Sequence, residues 1–284
     1  MTKARGRGIT PEGLIGVFDS DVGGLTVLDE CLAQLPGEDF VYYGDTAHFP
    51  YGDKSVAYLR DRSMRAATWL ADQGAKTIVI ACNTATAAAL GHLQTHLDVP
   101  VIGVMTAEAH AAAYTTRNRV VGLLATVATV ESGAYERMVK AHDAGVEVVS
   151  VACPRLAPAI HRGEPYDESI VEMVREYTAP LRQARADTVI LGCTHYPMVS
   201  RLLRRNLPDA TLITSGEELA RELRESLRRK GLLRSGGREG TYRFACSGDP
   251  DAFRTLGSRY LQMPLGQVDR VPLDQPAASP APAG

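Results

Sequence analysis

The sequence lacks the cysteine patterns that hold small metal-bound or disulfide-linked domains together. Its five cysteines are an odd number at irregular spacing, and no C-x-x-C pair occurs among them. This argues against a zinc or disulfide framework and favours reduced thiols in a cytoplasmic protein. We therefore expect no bound metal.

Strong charge of one sign and long hydrophobic runs are also missing. The 31 basic and 33 acidic side chains leave a net charge of −2, so nothing in the charge balance points to nucleic acid or to an anionic membrane. No apolar run reaches the length needed to cross a bilayer. The basic N-terminal stretch, MTKARGRGITPEG, is not followed by the hydrophobic segment of a secretory signal. The sequence predicts a cytoplasmic protein with no nucleic-acid partner and no membrane partner.

The glycine motifs that bind nucleotides are absent as well. GVFDSDVGG, residues 16–24, does not have the G-x-G-x-x-G spacing of a dinucleotide site, and no Walker lysine motif occurs. No lysine lies in ACNTATA or LGCTHYP, the two motifs around Cys82 and Cys193, so a pyridoxal phosphate Schiff base is not expected. The sequence therefore predicts a protein without a cofactor.

What the chain does contain is a regular alternation of strand and helix patterns. Its 284 residues, 45% of them hydrophobic, are enough for two domains. Apolar runs such as LIGVFDS (14–20), KTIVIAC (76–82) and DTVILGC (187–193) alternate with helical patterns, which is typical of parallel sheets covered by helices on both faces. The fold class predicted is α/β, with mainly parallel sheets flanked by helices.

The two halves of the chain resemble each other. KTIVIACNTATAA superposes on DTVILGCTHYPMV with Cys82 on Cys193, and IGVFDS superposes on VGLLAT with Ser20 on Thr126. A repeat of this length predicts two pseudo-symmetric domains that face each other, with the active site in the interdomain cleft.

The pattern also predicts where the domains begin and end. We expect the first α/β domain to comprise residues 14–105 together with about 216–265, and the second to comprise residues 106–215. The chain then becomes rich in proline and alanine, PLDQPAASPAPAG, and residues 266–284 are predicted to be a disordered tail.

The segment SGEELARELRESLRRKG has the clearest amphipathic helix pattern. Its leucines recur every four residues, and Ser215 and Glu218 match a capping box at its start. Gly231 follows as the stop signal. We expect a helix between these limits, with the Ser215 hydroxyl satisfying a backbone N–H of the first turn.

Cys82 and Cys193 both lie where a strand ends and a helix begins. Ligands of open α/β sheets bind at the carboxyl ends of the strands, and the N–H groups of a helix start attract anions and lower the pKa of a thiol. Asn83, Thr84 and Thr194 add hydrogen-bonding groups at the same place. Two such thiols on opposite walls could approach one carbon from both faces. One would remove a proton while the other delivers one, which inverts the stereocentre.

Other interpretations of the cysteines stay open on this reasoning alone. A buried cysteine is most often a small hydrophobic residue, and we assign that role to Cys31, Cys153 and Cys246. Cys193 and His195 could instead belong to a cysteine hydrolase or to a metal site. The matched strand-end positions of the two aligned cysteines favour the two-thiol interpretation.

Six segments in order closely resemble glutamate racemases, from the cofactor-independent aspartate/glutamate racemase superfamily. They are FDSDVGGLTVL, YYGDTAHFPYGDKS, VIACNTATAA, VPVIGV, ATVATVESGAY and LGCTHYPM, between about residues 14 and 215. The resemblance implies an enzyme of two α/β domains, without pyridoxal phosphate or metal, that interconverts L- and D-glutamate. It implies a part in peptidoglycan synthesis, cell wall biogenesis and cell shape, and a cytoplasmic homodimer is expected.

The resemblance also implies roles for individual residues. Cys82 and Cys193 would be the two acid/base residues of a two-base mechanism, while Asp19 and His195 would tune the neighbouring thiols. The substrate contacts that it implies are Asp19, Ser20, Tyr51, Gly52, Asn83, Thr84, Thr194 and His195.

Three positions depart from the family pattern. The family has FDSGVGG where this chain has Asp21, and TAEA puts Glu108 in place of a glycine. CPRLAPAIH puts His161 where a glutamate normally supports the second-half histidine. Because a histidine cannot supply a negative charge, we predict that His161→Glu raises turnover, more in one direction than in the other. A compensating carboxylate, for which Glu108 is a candidate, would remove the effect.

Two other functions are compatible with these segments. One is a racemase of another acidic amino acid such as aspartate, against which GCTHYP argues. The other is a weakly active or non-catalytic homologue that acts as a binding protein, since some members of the family also bind DNA gyrase. The two intact cysteines favour catalysis.

Overall fold

The structure is a computed structural model, and it describes residues 9–162 and 167–273. The strands are β1 (Leu14–Asp19), β2 (Phe40–Gly44), β3 (Ala75–Ile80), β4 (Val101–Gly103), β5 (Val120–Ala125), β6 (Glu147–Ala152), β7 (Thr188–Gly192), β8 (Thr211–Ile213), β9 (Tyr242–Cys246) and β10 (Val268–Arg270). The helices are α1 (Leu25–Gln34), α2 (Val56–Asp72), α3 (Asn83–His96), α4 (Val104–Thr115), α5 (Val127–Glu131), α6 (Ala134–His142), α7 (Leu156–His161), α8 (Glu168–Gln183), α9 (Ser200–Asn206), α10 (Ser215–Arg229) and α11 (Pro250–Leu261). Short 3₁₀ turns occupy Thr46–His48 and Tyr196–Val199.

The strands form two parallel sheets with the same central topology. The first sheet has the order β10-β9-β2-β1-β3-β4 and the second has the order β6-β5-β7-β8. Within the first sheet β1 pairs with β2 and β3, and within the second β5 pairs with β6 and β7 in the corresponding way. The second sheet therefore repeats the β2-β1-β3-β4 part of the first, which confirms the predicted α/β fold of two pseudo-symmetric parallel sheets.

The buried central strands fix where the site can form. Every residue of β3 and of β7 is buried, and β1 is buried from Ile15 onward. A parallel strand that is covered on both faces reads as a continuous apolar run, so these segments were recognisable in the sequence. Asp19, Cys82 and Cys193 lie at the carboxyl ends of these strands. This is the edge of an α/β sheet at which ligands bind.

Parts of the chain form elements that the sequence patterns did not predict. The apolar segment 99–105 forms only the three-residue strand β4, and α4 begins directly after it at Val104. The alanine-rich sequence that follows favours helix over strand. Strand β9, helix α11 and strand β10 were not predicted from the sequence.

The prediction of a disordered tail is wrong at its start. Strand β10 lies within residues 266–284 and pairs with β9, which adds it to the edge of the first sheet. Proline and alanine content did not reveal this strand because the proline-rich part begins after it. Residues 274–284 lie outside the described residues.

The capping box predicted for α10 is also wrong. Thr214 is the N-cap residue and makes no side-chain cap. Ser215 instead donates its hydroxyl hydrogen to Oε1 of the buried Glu108, at 2.7 Å. The Ser215 hydroxyl can bond either to the helix end or to a buried carboxyl group, and in this structure it bonds to the carboxyl group. Gly231 does follow the helix, with a left-handed φ of +65°.

The two sheets draw on different parts of the chain. The first is built from strands within residues 14–103 and 242–270, and the second from strands within 120–213. The domain limits 14–105 with about 216–265, and 106–215, stay a prediction. Among the described helices none is long and apolar enough to cross a membrane.

Candidate active site

A cavity of about 290 Å³ lies between the carboxyl ends of the two sheets. Its walls come from both halves of the chain, as expected for a cleft between matched sheets. The predicted site residues that line it are Ser20, Tyr51, Gly52, Cys82, Asn83, Thr84, Cys193, Thr194 and His195. Asp19 lies behind the wall and is fully buried. The two thiols thus line one cavity from opposite sheets.

Cys82 is the N-cap residue of α3. Its Sγ accepts a hydrogen bond from the backbone N–H of Ala85 at 3.4 Å, and its thiol donates to Oγ of Ser20 at 3.8 Å. Burial raises the pKa of Cys82 to about 12, the nearby charge of Asp19 adds to this, and the hydrogen bonds with Ala85 and Ser20 oppose it. The helix start is therefore present as predicted, but its N–H groups do not outweigh the loss of water.

Cys193 directly follows β7 and lies close to the ring of His195. Its Sγ is 4.0 Å from Nδ1 of His195. Burial raises the pKa of Cys193 well above its usual range, although a hydrogen bond with the backbone of His195 opposes the shift. The expectation that the helix start lowers the pKa of these thiols is thus wrong for the protein by itself, because burial disfavours a thiolate more than the local hydrogen bonds favour it.

Asp19 connects the two halves beneath the cavity. Its Oδ2 accepts a hydrogen bond from Oγ1 of Thr194 at 3.2 Å, and its Oδ1 accepts one from the backbone N–H of Asp21 at 2.9 Å. Burial raises the pKa of Asp19 to about 6, while the charge of His195 opposes the shift. This carboxyl group therefore changes its charge close to neutral pH.

Asp21 joins the two histidines that the sequence singled out. Its Oδ2 lies 3.4 Å from Nε2 of His195 and also contacts Nδ1 of His161. The rings of the two histidines are 6.3 Å apart between centroids, with the carboxylate between them. Asp21 thus places a carboxylate beside His195, which is the condition under which His161→Glu is expected to have no effect.

The same three side chains include the atoms that a metal could use. One ligand atom from each of Asp21, His161 and His195 lies within 4.8 Å of the others. In the structure these atoms contact one another, with the carboxylate between the two rings. The expectation of no metal and no cofactor stays a prediction.

Glu108 does not support His195, contrary to the suggestion from the sequence. It is fully buried, and its carboxyl group accepts hydrogen bonds from Nδ2 of Asn83 at 2.9 Å, from the hydroxyl of Tyr135 and from Ser215. Burial raises the pKa of Glu108 to about 8, and these hydrogen bonds oppose the shift. Glu108 thus anchors Asn83 from below the cavity.

Several residues of the site were missed in the sequence. Asp45 accepts a hydrogen bond from the Tyr51 hydroxyl at 2.6 Å and forms a buried ion pair with Arg62, at 2.8 Å between Oδ1 and Nη2. This pair fixes Tyr51 at the cavity wall. Thr126 also lines the cavity and lies 2.9 Å from Thr84 between hydroxyl oxygens. The alignment of Ser20 with Thr126 was the signal that could have found it.

Gly23 is a further residue whose role was not recognised. A Cβ atom at this position would lie 2.5 Å from Nδ1 of His195 and 2.5 Å from Oγ1 of Thr194. Any larger side chain would therefore displace the residues beside Cys193. The VGG segment serves close packing between the two halves, and not the binding of a dinucleotide.

Gly52 has a similar function on the opposite side of the cavity. A Cβ atom there would lie 2.9 Å from Cβ of Thr126. The carbonyl oxygen of Gly52 accepts a hydrogen bond from the backbone N–H of Ala128 at 3.1 Å, which ties the loop after the 3₁₀ turn Thr46–His48 to the start of α5. The glycine lets the two backbones approach at the cavity rim.

Comparison with known proteins agrees with this arrangement. Residues 16–223 match the family described as Asp/Glu/Hydantoin racemase. A glutamate racemase from Geobacter metallireducens is 42% identical over 261 residues, which covers 92% of this chain and 97% of the relative. A glutamate racemase from Listeria monocytogenes is 42% identical over 260 residues, covering 91% and 98% respectively.

Solved structures give the same result. The structure of a glutamate racemase isoform from Bacillus anthracis has a TM-score of 0.88 at 38% identity, covering 91% of this chain and 97% of that chain. A glutamate racemase from Francisella tularensis, solved in complex with D-glutamate, has a TM-score of 0.87 at 34% identity, covering 93% and 99%. An aspartate racemase from Picrophilus torridus, at 17% identity and a TM-score of 0.54, shares the fold. The chain belongs to the Asp/Glu/Hydantoin racemase family, and over most of its length it is similar to the family's glutamate racemases.

Proposed function

We propose that this chain interconverts L-glutamate and D-glutamate by direct proton transfer at the α-carbon, with Cys82 and Cys193 as the two acid/base groups. The observation that carries the proposal is the position of the two thiols, which follow matched strands of two sheets and line one cavity from opposite sides. A carbon held between them would present one face to each thiol.

The reaction needs one thiol as a thiolate and the other as a thiol. The thiolate removes the α-proton, which leaves a carbanion, and the opposite thiol donates its proton to the other face. The products are the mirror-image amino acid and a pair of cysteines with exchanged protonation states. The reverse reaction uses the same groups in exchanged roles, so one site serves both directions.

Substrate binding supplies the charge that the buried thiols need. An amino acid carries an α-ammonium group, and the buried carboxyl of Asp19 lies next to the cavity wall to balance it. A positive charge close to a thiol favours the thiolate and lowers its pKa. The ammonium group of a bound amino acid would thus offset part of the rise in thiol pKa that burial causes.

The polar residues at the strand ends suit the anionic parts of the substrate. Ser20, Asn83, Thr84 and Thr194 offer hydroxyl and amide hydrogens to the cavity. The start of α3 adds backbone N–H groups, which stabilise negative charge. When the α-carbon loses its proton, charge spreads onto the α-carboxylate, and donors already in place stabilise it without rearrangement.

The physiological role follows from the product. D-glutamate would be used for peptidoglycan synthesis and so for cell wall biogenesis and cell shape. We place the activity in the cytoplasm, because the five cysteines are unpaired and a reducing compartment keeps thiols free. A homodimer without a cofactor stays a prediction.

A measurement of optical activity tests the proposal against its alternatives. The protein is dialysed against a chelator and given L-glutamate, D-glutamate, L-aspartate and D-aspartate separately, and the circular dichroism signal is followed. We expect both glutamate enantiomers to lose their signal and the aspartate signals to persist. Loss of the aspartate signals alone would identify a different substrate. No loss with any of the four would contradict the proposed catalysis.

A further inference from the structure

The carboxylate of Asp21 is buried between two imidazoles from the other half of the chain. Only 1% of the residue is exposed, and its Oδ2 contacts both Nε2 of His195, at 3.4 Å, and Nδ1 of His161. Its other oxygen, Oδ1, has no hydrogen-bond partner within the described part of the chain. A buried carboxylate needs donors or positive charge nearby, and the two rings provide both.

The ring of His195 presents its other nitrogen to the thiol of Cys193. Nδ1 of His195 is 4.0 Å from Sγ of Cys193, on the side of the ring away from Asp21. An ionised carboxylate only accepts hydrogen bonds, so the nitrogen facing Asp21 must be the one that carries the proton. In a neutral ring this leaves Nδ1 free to accept the proton of the thiol.

We propose that Asp21 is a positioning residue for racemisation, which holds His195 in the tautomer and orientation that serve Cys193, and that His161 stabilises Asp21 from the opposite side. The order Asp21, His195, Cys193 is that of an orienting group, a base and the group it activates. Neither Asp21 nor His161 lines the cavity, so they act through His195 and not on the substrate. The inference rests on the role proposed above for Cys193.

The inference also explains two departures from the family pattern together. The resemblance places a carboxylate at position 161 and none at position 21, whereas this chain has Asp21 and His161 in mutual contact. The supporting carboxylate has therefore moved from the second half of the chain to the first. The imidazole at position 161 fills the place that the carboxylate left.

The surroundings keep Asp21 charged and the rings in place. Burial raises the pKa of Asp21, but the contacts with the two histidines outweigh it and the net shift is downward. The contact with Asp21 raises the pKa of His161, with burial opposing. The ring of Phe49 packs on both imidazoles, with centroid distances of 4.7 Å to His161 and 5.2 Å to His195.

Nitrogen NMR on the wild-type protein tests the tautomer directly. The histidines are labelled with ¹⁵N, and the signals of His195 are assigned by their loss in His195→Gln. We expect the proton of the neutral ring on Nε2, and we expect this preference to be lost in Asp21→Ala. A proton on Nδ1 in the wild type, or an unchanged His195 signal in Asp21→Ala, would overturn the proposal. This measurement does not require racemase activity, so it separates failure of this inference from failure of the proposed function.

Kinetics test whether the contact serves the reaction. We expect Asp21→Ala to lower kcat/KM by roughly 10²-fold, at the low end of general acid–base effects, with little change in KM. Because enantiomers have equal free energy, kcat/KM must fall equally in both directions. With α-deuterated glutamate, however, the isotope effect should grow for the enantiomer that Cys193 deprotonates and shrink for the other. Asp29→Ala, which removes an exposed carboxylate from α1, should leave these values unchanged.

A second variant distinguishes the specific role from a structural one. Adding His161→Glu to Asp21→Ala returns a carboxylate to the opposite side of His195, and we expect it to restore kcat/KM to within about tenfold of the wild type. Values for Asp21→Ala within twofold of the wild type would overturn the proposal. So would a loss that His161→Glu does not relieve. Should Asp21→Ala fail to fold, the wild-type NMR signal of His195 decides.

Discussion

The surroundings of Cys82 and Cys193 differ although the two thiols occupy the same place in the repeated fold. Cys82 begins the long helix α3 and takes a hydrogen bond from the backbone of that helix. Cys193 is followed by the 3₁₀ turn Tyr196–Val199 and the short helix α9, and it lies beside the imidazole of His195. The backbone of a long helix thus contacts Cys82, whereas an imidazole that itself contacts Asp21 lies beside Cys193.

This difference shows how duplicated halves can diverge without losing a shared reaction. Backbone N–H groups at a helix start cannot be removed by most substitutions, so the hydrogen bond from Ala85 to Cys82 is insensitive to sequence change. The Cys193 side depends on particular side chains and can be rebuilt from other positions, as the contact of Asp21 with His161 and His195 indicates. We expect sequence variation in the family to concentrate on that side.

The largest effect is expected from replacing either thiol. Cys82→Ser and Cys193→Ser should each lower racemisation by at least about 10³-fold, because a serine hydroxyl is a far weaker base than a thiolate at neutral pH. Polarimetry with purified, folded protein measures this. Cys31→Ser, in the core of the first sheet's domain, should keep its specific activity. Near-normal turnover in either active-site variant would contradict the proposal that both thiols act as acid/base groups.

Loss of the Asp19 charge, by protonation or by mutation, should have the next largest effect on kcat/KM. Its pKa of about 6 means that it gains a proton as the pH falls through 6, and its negative charge beside the substrate ammonium is then lost. We expect kcat/KM to fall by up to about tenfold per pH unit below this value. Asp19→Asn should lower kcat/KM by roughly 10²-fold at neutral pH and remove the acidic limb of the profile. An acidic limb near pH 6 that persists in Asp19→Asn must come from another group.

Gly23→Ala tests the close packing on the Cys193 side. The new methyl group would lie 2.5 Å from His195 and from Thr194, so both must move. We expect about a tenfold loss of kcat and a loss of about 1–3 kcal/mol in the free energy of unfolding. Gly91→Ala in α3 is the matched control, since nothing lies within 4 Å of its Cβ position. It should stabilise the protein by about 0.5–1 kcal/mol. A fully active Gly23→Ala variant would show that His195 and Thr194 can move without loss of activity.

Glu108→Gln has the smallest expected effect on the reaction and a distinct effect on stability. The pKa of Glu108 is raised by burial to about 8 in the folded protein, above its usual 4.5. Between these pH values the folded state holds more protons than the unfolded state, so stability falls as the pH rises, by up to about 1.4 kcal/mol per pH unit from this group. Denaturant titrations at pH 5, 6.5 and 8 should show a shallower decline for Glu108→Gln. Equal slopes in both proteins would contradict a neutral Glu108.

The sequence was informative wherever local pattern decides structure. Buried strands such as β3 and β7 are visible in the sequence as apolar runs. The repeat that aligns Cys82 with Cys193 predicted that both thiols lie at matched strand ends. The glycines at positions 23 and 52 were visible as residues, but their packing partners lie far away in the chain. Sequence patterns thus predicted the secondary-structure elements and the strand ends. They did not predict which side chains contact each other across the cleft.

Contacts between distant residues account for what the sequence did not reveal. Ser215 fits a capping box by spacing alone, yet Glu108 binds its hydroxyl. Asp21 and His161 were recognised separately as departures, while their contact exists only in the folded chain. The direction of the thiol pKa shifts depends on how deeply Cys82 and Cys193 are buried, which no short motif encodes.

Hydrogen exchange at the α-carbon tests the central claim of two acid/base thiols most directly. L-glutamate and D-glutamate are incubated separately with the protein in D₂O, the reactions are stopped early, and deuterium in each enantiomer is measured by mass spectrometry after chiral separation. Because one thiol removes the proton and the other, already exchanged with solvent, delivers a deuteron, the product should carry deuterium while the recovered substrate does not, in both directions. A product that retains the hydrogen of its substrate, or a substrate that exchanges as fast as product forms, would contradict the account.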